Sequence, residues 1–272
     1  MKNIIASCLT ATLLFTSTLS AEFDFSKAPE KMTAYYASGM QTTDNLKARL
    51  KDSGFEILST NEILKGETVV TITNDELKAT NSYMAAINIL VNPEAKELRV
   101  QNPSYLGAAY LKENYKYGQF KATLNSLEKA LGQMVIVTEQ YDFKKLSKYQ
   151  FMMGMPYFED TIEIKDGVNL EEKLKGKKAD KYFAYTVKLS NGNTLVGHLL
   201  RQKTNKFLKK IDSTNNAQLL PYQAMVDKSG KVVILDPKYY LALSLPLLTM
   251  GEFMKIASVP DKIEKGIKRA YK

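Results

Sequence analysis

The chain has 272 residues, with 38 Lys and Arg against 29 Asp and Glu, one histidine and one cysteine. A chain of this size can bury a sizeable core without cross-links. Because the single cysteine is Cys8, the rest of the chain can form no disulfide, thiolate metal site, attached c-type haem or cysteine nucleophile. The net charge of +9 is uneven: residues 1–164 carry 17 Lys and Arg against 19 Asp and Glu, residues 165–272 carry 21 against 10. A basic half points to an anionic partner: a small molecule, an acidic envelope protein or a membrane surface.

The N-terminus has the layout of a secretory leader. Lys2 gives a short positive region, Ile4 to Leu19 a mostly apolar stretch, and Ser20-Ala21 a small-residue cleavage site before Glu22. The stretch is too short and too rich in Ser and Thr for a transmembrane helix, which needs roughly 20 apolar residues. A mature protein in the periplasm or outside the cell is expected after cleavage near Ala21, cysteine-free and without nucleic acid as a partner. A Lys/Asn-rich composition fits a bacterial source.

In chain order, Asp44–Ser53 is an amphipathic helix closed by Gly54. Phe55–Ser59 and Thr68–Thr73 are strands, and Asn74 caps a short helix through Lys78. A β-hairpin then turns at Pro93-Glu94-Ala95-Lys96 and runs into Asn102-Pro103, where Asn caps a helix and Pro fills its first turn. Gln119–Leu131 is a helix with Phe120, Leu124, Leu127 and Leu131 on one stripe. Met134–Glu139 and Pro156–Lys165 read as strands. Phe183–Leu189 and Thr194–Arg201 form a hairpin around Asn191-Gly192. Thr204–Ile211 is a helix, Tyr239–Met250 a buried helix, and Glu252–Tyr271 a basic C-terminal helix interrupted at Pro260.

The chain says the same thing twice. Tyr83–Leu111 and Tyr222–Leu245 each run strand, polar turn, strand, Asx-Pro, tyrosine, apolar helix. Asn102-Pro103-Ser104-Tyr105 matches Asp236-Pro237-Lys238-Tyr239, and upstream the NLKARLK at Asn45 echoes the NLEEKLK at Asn169 in the same order. The expected fold is α+β: two similar hairpin-plus-helix α/β sandwich units forming a pseudo-dimer. The expected divisions are a leader at 1–21, an N-terminal segment at 22–41, a first repeat at 42–133, connecting strands and helix at 134–165, and a second repeat with the C-terminal helix at 166–272.

The runs LKARLKDSGFEILSTNEI, TVVTITNDEL and NPSYLGAAYL resemble the family called domain of unknown function 302, over roughly residues 42–115 and more loosely 166–250. The resemblance implies a small α+β fold that tends to pair as dimers. It implies no activity. The departures are two copies in one chain, Asp236 in place of Asn, and no "GF" before the second hairpin.

Chemistry-bearing motifs are sparse. His198 is the lone histidine, in an apolar strand. Glycines form neither a dinucleotide nor a phosphate loop, no GxSxG elbow occurs, and the aspartates lack calcium-loop spacing. No cofactor or metal is expected. Glu159, Asp160 and Glu163 sit near Tyr157 and read as a solvated face. Met152, Met153 and Met155 could offer thioethers to Cu(I), but read as core packing between the repeats. Tyr35, Tyr36, Tyr105, Tyr110, Tyr115, Tyr117, Tyr239 and Tyr240 cluster near the helices after the hairpins, lining either the seam between repeats or a ligand cleft. The expected function is a non-enzymatic module that binds a small molecule or a protein in the inter-repeat cleft, with Asn102, Tyr105, His198, Asp236 and Tyr239 as ligand-binding candidates. The alternatives are a hydrolase-like enzyme using carboxylates and tyrosines, and a peripheral envelope protein whose basic C-terminal helix rests on anionic lipid.

Overall fold

The computed structural model describes residues 23–272; the expected leader lies outside the described residues. The first half runs β1 (Lys31–Thr33), β2 (Tyr35–Gly39), α1 (Thr43–Asp52), β3 (Glu56–Leu64), β4 (Glu67–Thr73), α2 (Asp75–Lys78), β5 (Ile87–Asn92), β6 (Glu97–Gln101), α3 (Pro103–Tyr110), α4 (Lys121–Leu131) and β7 (Met134–Ile136). Its six strands form one antiparallel sheet in the order β3-β4-β5-β6-β2-β7. β8 (Gln140–Asp142) pairs with β1, and α5 (Phe143–Leu146) follows.

The second half runs β9 (Thr161–Lys165), α6 (Leu170–Lys175), α7 (Ala179–Tyr182), β10 (Phe183–Lys188), β11 (Thr194–His198), α8 (Gln202–Asn205), α9 (Phe207–Lys210), β12 (Tyr222–Val226), β13 (Val232–Leu235), α10 (Pro237–Ser244), α11 (Met250–Lys255) and α12 (Val259–Lys268). Its five strands are antiparallel in the order β10-β11-β12-β13-β9. That is the strand order of β3-β4-β5-β6-β2. In both halves a strand and a helix precede a four-stranded meander, and the first strand returns to pair with the last. The fold is α+β with antiparallel sheets, as the alternation of hairpins and helices predicts.

Local chemistry fixes the shared elements. Asn102 Oδ1 accepts from Ser104 N at 2.9 Å and Asp236 Oδ1 from Lys238 N at 2.7 Å, so both Asx-Pro pairs start their helices as the sequence indicates. Asn74 caps α2 through Leu77 N at 2.9 Å. On α1 only Leu46 and Leu50 are buried, four residues apart on the face turned to the sheet. Gly197 on β11 permits a close approach: a Cβ there would meet the Tyr185 ring at 2.1 Å. Gly230 has φ +85° in the second hairpin turn, and a Cβ would strike the Val168 backbone at 2.4 Å.

Several boundaries move. Tyr35 and Tyr36 belong to β2, an interior strand, and not to a separate N-terminal segment. β9 lies in the stretch expected to connect the repeats, yet it is the outer strand of the second sheet. The ladder at Met134 stops at Ile136, and the chain turns so that Glu139 meets Arg99. Thr204–Ile211 breaks into α8 and α9. The C-terminal helix is interrupted as expected, at Ile256–Ser258, and Pro260 sits in the first turn of the helix that follows, α12, where a proline loses no hydrogen bond.

The halves share one apolar core. The 3-10 turn Thr214–Leu219 packs on β4, β5 and β6, and the 3-10 turn Tyr83–Ala85 lies against β12. The polar contacts across the seam are reciprocal. Asn88, second residue of β5, donates to the Gln218 and Leu220 carbonyls at 2.9 and 3.3 Å; Gln223, second residue of β12, donates to the Ala86 carbonyl at 3.3 Å. Arg99 on β6 spans the same seam. Its two terminal nitrogens meet the two Glu139 carboxylate oxygens at 3.0 and 3.2 Å, and Nη1 also donates to Asn216 Oδ1 at 2.9 Å and to the Asn215 carbonyl at 3.2 Å.

The methionine knot is not core. Met153 is 97% exposed and Met152 37% exposed. Gly154 has φ +83°, and the aromatics that flank the methionines pack inward, Phe151 5.4 Å from the Phe253 ring and Phe158 5.3 Å from the Tyr110 ring.

Candidate functional site

Around the candidate tyrosines the expected ligand cleft between the halves is filled. Tyr105 and Tyr239 are each 1% exposed, and the Tyr105 hydroxyl donates to the Leu243 carbonyl at 2.9 Å. Tyr239 packs edge-on to Tyr149 and Phe158, and its hydroxyl is buried without a partner. Both tyrosines are thus part of the seam. His198 is also buried, with Nε2 2.8 Å from the Tyr271 hydroxyl and its ring packed against Phe183. Desolvation lowers its pKa to about 4, which keeps the ring neutral at ordinary pH. Asp236 is a half-buried helix cap whose pKa is raised by desolvation. Of the five candidates, Asn102 alone lines a described cavity, the one between the N-terminal segment and α3.

The carboxylates that a hydrolase-like site could use do not converge either. Glu159 pairs with Lys112, Glu163 with Lys231 at 3.0 Å, and Asp236 with the backbone of its own helix. Each is engaged by a separate partner. Among the described residues no group of three His, Cys, Asp or Glu could hold a metal ion.

The largest described cavity lies elsewhere, at the outer edge of the second sheet, with a volume of about 500 Å³. Two stretches far apart in sequence build it. Asn169 caps α6 through Glu172 N at 3.2 Å, and Leu170 and Leu174 turn to the core, which sends Lys173 to the other side. The chain then turns at Gly176, Lys177 and Lys178 into α7. From the far end of the sequence, α12 buries Val259, Ile263 and Ile267 and delivers Arg269, Ala270 and Lys272 to the same hollow. Tyr182 and Phe183 form an aromatic side wall, and Lys173 Nζ donates to the Lys272 carbonyl at 3.0 Å.

The electrostatics of this hollow are one-sided. Lys173, Lys177, Lys178, Arg269 and Lys272 line it, against one carboxylate, Glu172. Among the described residues none of these five cations pairs with a side-chain carboxylate, and Lys173 is held by the Lys272 main-chain oxygen. Like charges gathered around a concavity raise the local potential and attract a counter-ion. Tyr182 and Phe183 add an apolar wall against which a flat or aliphatic portion can rest.

A smaller cavity of about 230 Å³ opens at the seam. It is lined by Glu139, Asp212 and Glu252 with Leu245, Leu247 and Leu248. Glu139 is already satisfied by Arg99, which helps hold its carboxyl below the usual range against the opposing pull of burial. The charge asymmetry of the sequence points to the half that carries the basic hollow. It does not point to the residues, because KLKGKKADK and KRAYK stand about ninety positions apart and only the docking of α12 brings them together.

A scan of family models, of curated proteins and of solved structures finds no match to this chain.

Proposed function

We propose that this chain is a non-enzymatic binding module that works outside the cytoplasm and takes an anionic small molecule at the basic hollow. The convergence of five cationic side chains from two distant stretches on one cavity with a single side-chain carboxylate carries the proposal. A cavity near 500 Å³ is within the usual range for small-molecule sites. Export is supported by the layout of residues 1–21, and by a chain whose only cysteine falls within that leader. The shared strand order of the two sheets supports a pseudo-dimer built from two copies of one unit.

Two observations weigh against the other expectations. The apolar stripe of α12 is spent on the core, so that helix has no free apolar face to lay into a bilayer. Hydrolysis by paired carboxylates needs them in one pocket, whereas each candidate carboxylate has its own separate partner.

Isothermal titration with inorganic phosphate, pyrophosphate and acetate at low ionic strength tests the proposal. Pyrophosphate should bind most tightly, and binding should weaken as salt is added, because exposed charges are screened. The double change Lys173→Glu with Arg269→Glu should lower its affinity at least tenfold while leaving the melting temperature near that of the parent protein. Absence of heat with every anion would overturn the proposal.

A further inference from the structure

The loop that carries the exposed methionines is built as a tight turn. Met155 N donates to the Met152 carbonyl at 3.0 Å, which closes a β-turn over Met152, Met153, Gly154 and Met155. Gly154, its third residue, has the positive φ of +83° that favours glycine there, as in a type II turn. A β-turn holds its first and fourth Cα atoms within about 7 Å, so the three methionine side chains leave neighbouring points of one short arc. The base of the arc is fixed. Gln150 Nε2 donates to the Met155 carbonyl at 2.6 Å, Phe151 rests on Phe253, and Phe158 stacks on Tyr110.

The core makes little use of these three side chains. Met153 and Met152 are exposed, Met155 is half-buried, and the space beside Gly154 is open. Met32, Met84, Met134 and Met225 are buried, so methionine elsewhere in this chain does serve as core. A methionine side chain has three rotatable bonds and a polarisable sulfur, so three of them rooted on one turn can swing their sulfurs onto a common point. Thioether sulfur is a soft, neutral ligand that suits Cu(I). Zinc takes thiolate, imidazole or carboxylate instead, and among the described residues no group of three such side chains could hold a metal ion. His198, the one imidazole, is buried against Tyr271.

We infer that the Met152–Met155 turn binds one Cu(I) ion through the sulfurs of Met152, Met153 and Met155. A thioether has no proton to lose, so binding at this turn does not weaken in mild acid, as it would at a histidine or carboxylate site. The turn shares no residue with the basic hollow, and failure of one leaves the other standing.

NMR of the protein isolated from cells, isotope-labelled at its methionine methyl groups, tests this. The probes are Ag(I), a redox-inert ion of the same charge and ligand preference, and Cu(I) kept reduced by ascorbate without air. The Met152, Met153 and Met155 methyl signals should move together and saturate at about one equivalent, at about pH 5 as at about pH 7.5. The buried methionines should stay in place, and Zn(II) should move none of the signals. Met152→Leu and Met155→Leu, which nearly conserve side-chain volume, should each weaken binding about tenfold or more. Met40→Leu, at an exposed methionine in the connection after β2, should leave it unchanged. No shift with either ion would overturn the inference. So would shifts that spread equally to Met40, Met250 and Met254, or binding that survives both substitutions in the turn.

Discussion

Two buried titratable side chains pull the stability of this protein in opposite directions with pH. His198 has its pKa lowered to about 4 by desolvation, so the unfolded chain binds a proton more readily. Its contribution is whole above about pH 6.5 and is lost as pH falls toward 4, a difference on the order of 3 kcal/mol. Glu67 is 7% exposed with an unpartnered Oε2, and burial, with a lesser push from Glu94 and opposition from Lys209, raises its pKa to about 7. The folded state therefore holds a proton that the unfolded chain releases, and stability falls as pH rises from about 4.5 through 7. Thermal melts from pH 4 to 8 should show Glu67→Gln gaining on the parent protein as pH rises, by about 2 kcal/mol at pH 8. His198→Phe should flatten the acid limb instead. A Glu67→Gln gain that is the same at every pH would refute the assignment.

At the scale of elements, the two Asx-Pro caps invite comparison. Asn102 is fully buried and carries two duties, receiving Ser104 N and donating to the Thr33 carbonyl, whereas Asp236 caps α10 in a half-buried position. Loss of a cap costs about 1 kcal/mol. Loss of Asn102 also leaves the Thr33 carbonyl without its donor, a further 1–3 kcal/mol or so. Chemical denaturation should therefore find Asn102→Ala more damaging than Asp236→Ala, and equal effects would show that the buried amide bond contributes little. Both caps can be read in the sequence because capping is local: an Asx, a Pro and an apolar run suffice. The burial that makes Asn102 the costlier loss cannot be read there, since it depends on β1 and β2 crossing above α3.

For the whole molecule, the seam is the element that makes two sheets into one structure. Arg99 reaches from the first sheet to Glu139 and to Asn215 and Asn216 of the second half. Breaking a buried pair at one partner leaves an uncompensated charge and costs about 3–5 kcal/mol. Arg99→Met should thus destabilise by that amount in urea unfolding, and adding Glu139→Leu should recover much of it. If the double variant were as unstable as the single, the penalty would lie in lost packing and not in the stranded carboxylate. No sequence pattern picks out the seam contacts of Arg99: it sits in a strand between Leu98 and Val100, and besides Glu97 two positions away its carboxylate partner, Glu139, is forty positions away.

What the sequence by itself determined was the local and the repeated: hairpins at their turn residues, helices at their caps, the α+β class, and an echo between Tyr83–Leu111 and Tyr222–Leu245 that reappears as one strand order in both sheets. These follow from nearest-neighbour sterics and from periodicity, which need no distant partner. Tertiary structure alone decided which tyrosines fill the seam, that Met152 and Met153 face solvent, and that Lys173 and Lys177 share a hollow with Arg269. A side chain's surroundings are set by whichever segment docks over it. A charge ninety residues away leaves no trace in the local pattern until the C-terminal helix buries its apolar stripe and brings that charge alongside.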